Sequence, residues 1–280
     1  MTTVTHPSRI IDLAPERTPT DGHVKLALDN RTGRPVHVRA LDPRTRNGNA
    51  CDCTCFGCGE PLVARQGSTL TWHFAHRSTT ACPAAGETTL HLAAKMVLKT
   101  TRRIALPHYT IGHRYETMVA PEEWIRSNVR EVIPAEVPIT YERVDLEQAF
   151  TAEVALFNDD GRWEPFQSYR IVPDAVGTTI DGKRHFLEMV VTHALDARKE
   201  QVLHALGIPT IEVHLDHLRQ HEESPDLLDR VQEHLEGLTH RYWVVPPISI
   251  PERTAIERKL YLQNIAMVEQ QVEAWKMANR

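Results

Sequence analysis

The 280-residue chain has no cysteine beyond Cys82, no excess of basic residues, and no apolar run near the ~18 residues that a membrane span needs. Each absence removes a class of protein. A disulfide-stapled secreted protein spreads its cysteines, whereas Cys51, Cys53, Cys55, Cys58 and Cys82 share one short window here. The opening "MTTVTHPSRIIDLAPERTPTDGH" has no apolar signal core, so a cytoplasmic protein without a membrane partner is expected. A formal net charge of −5 gives no global pull toward nucleic acid. No internal repeat or low-complexity block is evident.

What is present is unevenly placed. Arg31, Arg34, Arg39, Arg44 and Arg46 crowd one early stretch and Lys99, Arg102 and Arg103 another, while 222–236 is acidic. The basic clusters read either as solvated surface or as a phosphate-facing patch. Residues 1–23 are polar and rich in Pro and Thr, a loose tail. "VKLALD" and "PVHVRAL" alternate with period two about Thr32-Gly33, and "PLVAR" with "TLTWHFAH" about Gln66-Gly67-Ser68, so 24–84 reads as a small β-rich module of two hairpins.

Beyond it, Leu90, Ala94, Val97 and Leu98 predict a helix from Glu87 to about Leu106. An irregular stretch with Pro121 and Pro134 follows, then strand-like runs at 137–147 and 149–157, then "YRIVPDAV". Asp181-Gly182 signals a tight hairpin leading into "HFLEMVVT". A helix near 195–206 ends at Gly207, "PTIEVHL" is a strand, "SPDLLDRVQEHLEGL" is a Ser-capped helix, and the last thirty or so residues form a longer one. The order suits a mixed sheet flanked by helices. The expected divisions are a tail at 1–23, the β-module at 24–84, an α+β domain at 85–220 and a helical extension at 221–280, whose Ile256, Leu260, Ile265, Val268 and Val272 suit packing on the domain or a homodimer.

The cysteines and neighbouring histidines form a metal-ligand pattern. Cys55-x2-Cys58 and His73-x2-His76 supply thiolate and imidazole ligands that favour tetrahedral Zn²⁺, and a full set of four protein ligands makes a structural site. So small a module couples folding to zinc binding. The register is open: Cys51 or Cys53 can stand in for a Cys, and Cys82 for a His.

A second pattern lies in "PDAVGTTIDGKRHFLEMVV". In a hairpin turning at Asp181-Gly182, Asp174 and Glu188 fall on adjacent strands, close enough to share one hard cation such as Mg²⁺ or Mn²⁺. A lysine beside such a pair would orient water and offset charge in phosphodiester cleavage, yet the position two after Glu188 is Val190. Lys183 lies at the wrong end of the strand. On the next helix, at ~100° per residue, Lys199 falls about 20° from the centre of the Leu195/Val202/Leu203/Leu206 stripe and Arg198 roughly 80° away. A lysine inside an apolar stripe needs a charged partner. Lys199 is therefore expected to have taken over the lysine's place. Glu87, His91 and Lys95, at i, i+4 and i+8 on the first helix, read from spacing alone as a solvated row of favourable pairs.

Taken together, "CFGCGEPLVARQGSTLTWHFAH", Cys82, "ETTLHLAAK", "YRIVPDAV" and "FLEMVVTH" resemble the competence protein CoiA-like family from about residue 24 to residue 215. The resemblance implies a zinc-binding β-module joined to a PD-(D/E)XK, restriction-endonuclease-like domain. It implies that Asp174 and Glu188 bind Mg²⁺ or Mn²⁺, that Glu87, His91 and Lys95 belong to the site, and that Glu147 matches a further family glutamate. The chain departs from the family in having Glu-Met-Val where Glu-x-Gln is common. A related group of predicted nucleases is similar here, with Val191-Thr192-His193 followed by a lysine, as at Lys199. The implied activity is a metal-dependent endodeoxyribonuclease acting in DNA processing, competence or anti-phage defence, with DNA as partner in preference to RNA and protein partners through the C-terminal helices. The rival expectation is an inactive nucleic-acid-binding or adaptor protein on the same fold.

Overall fold

Both expected N-terminal hairpins form. The computed structural model describes residues 10–13, 24–77, 82, 87–158, 160–192 and 195–279. It opens with β1 (Ile11–Asp12), β2 (Leu26–Asp29), β3 (Arg34–His37), β4 (Cys53–Thr54), β5 (Leu62–Arg65) and β6 (His73–His76). β2 pairs antiparallel with β3 and β5 with β6. Gly33 turns the first hairpin at φ +67°, a conformation that glycine adopts without steric cost. Part of the expected loose tail is a strand instead: Ile11–Asp12 pair in parallel with Tyr169–Arg170, and Arg170 holds Asp12 at 2.8 Å.

The first helix, α1 (Thr89–Thr101), is shorter than expected and is followed by β7 (Arg103–Leu106). The Thr100 and Thr101 hydroxyls donate back to the Met96 and Val97 carbonyls, and Arg102 leaves the helix at φ +57°. β8 (Tyr109–Ala120) and β9 (Glu123–Ile133) then form a long hairpin in the segment expected to be irregular. Pro121 does not break it because it sits in the turn, with Glu122 at φ +65°.

The chain continues through β10 (Glu136–Thr140), β11 (Arg143–Leu146), β12 (Phe150–Val154), β13 (Gln167–Ile171), β14 (Ala175–Thr178), β15 (Arg184–Val190), α2 (Ala197–Leu206) and β16 (Thr210–His214). It ends with α3 (Leu227–Glu236), β17 (Arg241–Val245) and α4 (Ile250–Ala278). The N-cap position of α3 is Asp226, which makes no side-chain capping bond, and not Ser224, whose hydroxyl donates to the Asp226 carboxylate.

The site rests on a five-stranded mixed sheet in the order β11-β14-β15-β16-β17, parallel only between β15 and β16. Strand alternation sends Leu187, Met189, Ile211 and Val213 toward α1 and α3, while Val176 and Phe186 meet Val202 and Leu203 of α2. The whole is mixed α+β. No helix among the described residues is long and apolar enough to cross a membrane.

The described residues divide into two compact units, one from the chain up to 106 with 137–245, the other from 107–136 with 246 onward. α3 and β17 belong to the first unit because α3 packs on α1 and β17 completes the sheet, and the β-module belongs there too. In the second unit α4 covers one face of the β8–β9 hairpin, burying Leu260 against Ile111 and Val129. The Asn264 amide donates to the His113 carbonyl at 2.8 Å.

Candidate functional site

Cys55, Cys58, His76 and Cys82 each present a ligand atom, all within 4.8 Å of one another, and no other such group occurs among the described residues. Cys55 Sγ and Cys82 Sγ lie 3.5 Å apart. The edge of a tetrahedron with Zn–S bonds of about 2.3 Å is about 3.8 Å, so the donors fit zinc. His76 Nε2 is buried without a hydrogen-bond partner, which suits a nitrogen reserved for a metal. Three thiols and an imidazole make a closed, structural set.

The set corrects one expected ligand. His73 stands three residues from His76 on the same strand, and side chains that far apart point to opposite faces. The His73 Nδ1 instead lies 2.8 Å from the Thr71 carbonyl. Cys82, returning after β6, takes its place. Cys51 and Cys53 are core residues whose thiols donate to the Leu62 and Cys51 carbonyls.

The carboxylates gather elsewhere in the first unit. Thr88 caps α1; Glu87 stands just before the cap, and His91 and Lys95 follow on the side of the helix that faces the carboxylates. Lys95 is 2% exposed, and its Nζ meets Glu147 at 2.7 Å, Glu87 at 3.0 Å and Asp174 at 3.4 Å. His91 Nε2 lies 2.9 Å from Asp174 Oδ2. The three are thus not the solvated row that spacing alone suggests.

Asp174 immediately precedes β14, whose register pairs Ala175 with Leu187, so the next position faces Glu188 across the strands. The Met189 N–H donates to Asp174 Oδ2 at 2.8 Å. Glu188 Oε2 accepts from Lys199 Nζ at 2.8 Å, and that ammonium also donates to the Val172 carbonyl at 3.3 Å. Lys199 is buried as its helical position required. Lys183, by contrast, is exposed and paired with Asp181, and Arg198 pairs with Glu164. Val190 is simply buried and apolar.

Burial alone would raise the Asp174 carboxyl, but His91 and Lys95 outweigh it and hold the group below the usual carboxylate range. Burial pushes Glu188 up to about 8 against the opposing pull of Lys199, with Asp174 and Glu212 adding to the rise. Burial likewise raises Glu87. It would lower Lys95, but Asp174, Glu87 and Glu147 prevail and keep the ammonium charged. The cluster therefore holds one firmly ionised carboxylate facing one that ionises reluctantly, a difference that a bound cation would remove.

Glu188 Oε1 is buried with no hydrogen-bond partner, and a Mg²⁺-type cation keeps several waters while taking only one or two carboxylates, so Asp174 and Glu188 are the pair that could hold one.

Two acidic neighbours were weakly signalled or missed. Glu147, suggested only by resemblance, reaches Lys95 from φ +54°, a conformation uncommon for a side chain of its kind. Glu212 lies beside Glu188 in the parallel register, accepting from the Leu195 N–H and the Tyr242 hydroxyl. Its only sequence signal was a lone acid in the apolar strand "TIEVH". Among the early arginines, Arg46 forks onto the buried Asp29 at 2.7 and 2.8 Å, Arg39 pairs with Glu223 and Arg31 with Asp52, while Arg34 and Arg44 are exposed.

Fold and site thus define an α+β protein with a Cys/His group compatible with zinc and a separate buried cluster of carboxylates, lysines and a histidine. Residues 44–85, which contain all four side chains of the metal group, match the model of the competence protein CoiA N-terminal domain. The match supports a CoiA-like module and ends before α1. No curated protein and no solved structure matches the chain.

Proposed function

We propose that the protein is a metal-dependent nuclease of the PD-(D/E)XK type acting on DNA, with its N-terminal module held together by zinc. The family match suggests a competence-related protein, and DNA processing is the reading that joins it to the cluster. The observation that carries the proposal is the Lys199–Glu188 contact of 2.8 Å beside Asp174, because it supplies the ammonium that Val190 does not. The sheet order and the sandwiching of the β14–β15 hairpin between helices are consistent with a restriction-endonuclease-like domain.

When bound, a divalent cation would provide Lewis-acid stabilisation of the phosphoryl group and favour hydroxide formation at neutral pH. Asp174 and Glu188 supply the hard oxygens. Lys199 would set its side-chain nitrogen beside Glu188, where the attacking water and the developing negative charge would lie. Lys95 and His91 fix the Asp174 carboxylate in one orientation and keep it ionised, so they act as positioning residues.

Incubation of plasmid and linear DNA with Mg²⁺ or Mn²⁺ tests this. Wild type should cut, Asp174→Ala should not, and Lys199→Ala should lose at least tenfold in rate. Chelation is the poorer control because it also strips the zinc. Salt-sensitive retention of DNA without cutting would favour the adaptor reading, for which Val190 is the specific argument.

A further inference from the structure

We infer that the outer face of the β8–β9 ribbon is a docking surface for double-stranded DNA. The inference rests on the nuclease reading for its choice of partner, but its residues lie in the other compact unit. Register pairs Thr110 with Val132, Gly112 with Arg130, Arg114 with Asn128, Glu116 with Arg126 and Met118 with Trp124, and every one of these residues is exposed. The opposite face is occupied by α4. A ribbon twelve residues long on its first strand therefore presents one complete side to solvent.

The charge on that side is mainly positive. It carries Arg114, Arg126 and Arg130 against one carboxylate, Glu116, which Arg126 holds at 3.1 Å. Arg114 and Arg130 make no ion pair among the described residues. The neighbouring acids turn away: Glu131 pairs with Lys259 at 2.7 Å and Glu123 accepts from the Trp275 indole at 2.8 Å, both partners on α4. In a chain of net charge −5, this face carries three guanidinium groups to one carboxylate, with Asn128, Trp124, Met118 and Val132 also exposed. In the arginine-rich stretches nearer the N-terminus, Arg46 pairs with Asp29, Arg39 with Glu223, Arg102 with the Glu142 carbonyl and Arg103 with Glu236, while Arg34 and Arg44 are exposed.

Size selects the form of nucleic acid. Arg126 and Arg130 are four residues apart, about 14 Å along a strand, with Arg114 between them on the neighbour. The major groove of B-DNA is about 12 Å wide and admits a two-stranded ribbon, whereas the A-form RNA groove is too narrow for side chains to enter. Guanidinium groups grip phosphates, and Asn128 at the centre can reach base edges.

Binding should be measured by fluorescence anisotropy on the full chain carrying Asp174→Ala, with a short labelled DNA duplex and no added divalent cation, across a salt series. Combining Arg114→Ala, Arg126→Ala and Arg130→Ala should weaken binding at least tenfold and flatten the log–log salt slope by up to about 3, one for each lost phosphate contact. Replacing the three by lysine should restore most of the affinity and slope, which a mere folding defect would not allow. Unchanged affinity and slope in the alanine variant would overturn the inference, as would equal binding of an RNA duplex. Arginine-dependent capture of an acidic polypeptide or self-association, with DNA binding unaltered, would also overturn it. Arginine-dependent binding with no cleavage by the wild type would sink the nuclease reading and leave this one standing. Cleavage with binding indifferent to the arginines would do the reverse.

Discussion

At the scale of single residues, several positions owe their identity to what presses on them. Gly177 lies on β14 opposite His185, and a Cβ there would overlap the ring of the buried Tyr141. That ring has little freedom to retreat, because its hydroxyl is bonded to His185 Nδ1 at 3.0 Å. Gly177→Ala should therefore destabilise the protein by about 1–3 kcal/mol through overpacking, read as a lowered melting temperature. An unshifted melt would mean that the Tyr141–His185 pair yields easily. Lys199 illustrates the same dependence from the other direction. Helical spacing alone could place it on the buried stripe, since a cation there is tolerable only with a partner, and Glu188 is that partner. Glu212 had no comparable signal, because a single acid in an apolar strand looks the same whether its carboxylate is exposed or bonded.

At the scale of elements, periodicity was a good guide where one face is apolar and a poor one where it is not. The hairpins of the metal module, β14–β15 and α2 with its Gly207 cap follow their patterns closely. β8 and β9 do not announce themselves, because their inner face mixes Ile111, Ile125 and Val129 with His113, Thr117 and Ser127. The metal ligands show the same limit. His-x2-His is a ligand spacing on a helix, where residues three apart share a side, but on β6 it divides the pair between two faces. Cys82→Ser should accordingly lose most of the bound zinc and destabilise the β-module, whereas His73→Ala should retain it. Zinc content by atomic emission and thermal melts would check both, and equal zinc loss from the two variants would restore His73 to the set.

At the scale of the whole molecule, the second unit is assembled from two distant pieces of chain, the β8–β9 hairpin and α4. A lone two-stranded hairpin is marginal in water, so the hairpin depends on α4 for its core of Ile111, Val129 and Leu260. Deleting 246–280 should expose 107–136 to rapid proteolysis while the first unit keeps its zinc and its protected core; limited proteolysis with mass spectrometry would show it. A hairpin as resistant as in the full chain would mean that α4 contributes little. The sequence by itself determined what depends on neighbours along the chain: hairpin turns at Gly33 and Gly182, the helix end at Gly207, a cysteine-rich β-module, and two carboxylates at a strand pair with a lysine on the following helix. Only the tertiary structure decided what depends on residues far apart: Cys82 over His73, Lys95 bridging three acids, Glu212 beside Glu188, and a hairpin covered by a helix more than a hundred residues later. Local spacing constrains the direction of a side chain, but its partner is set by the packing of the whole chain.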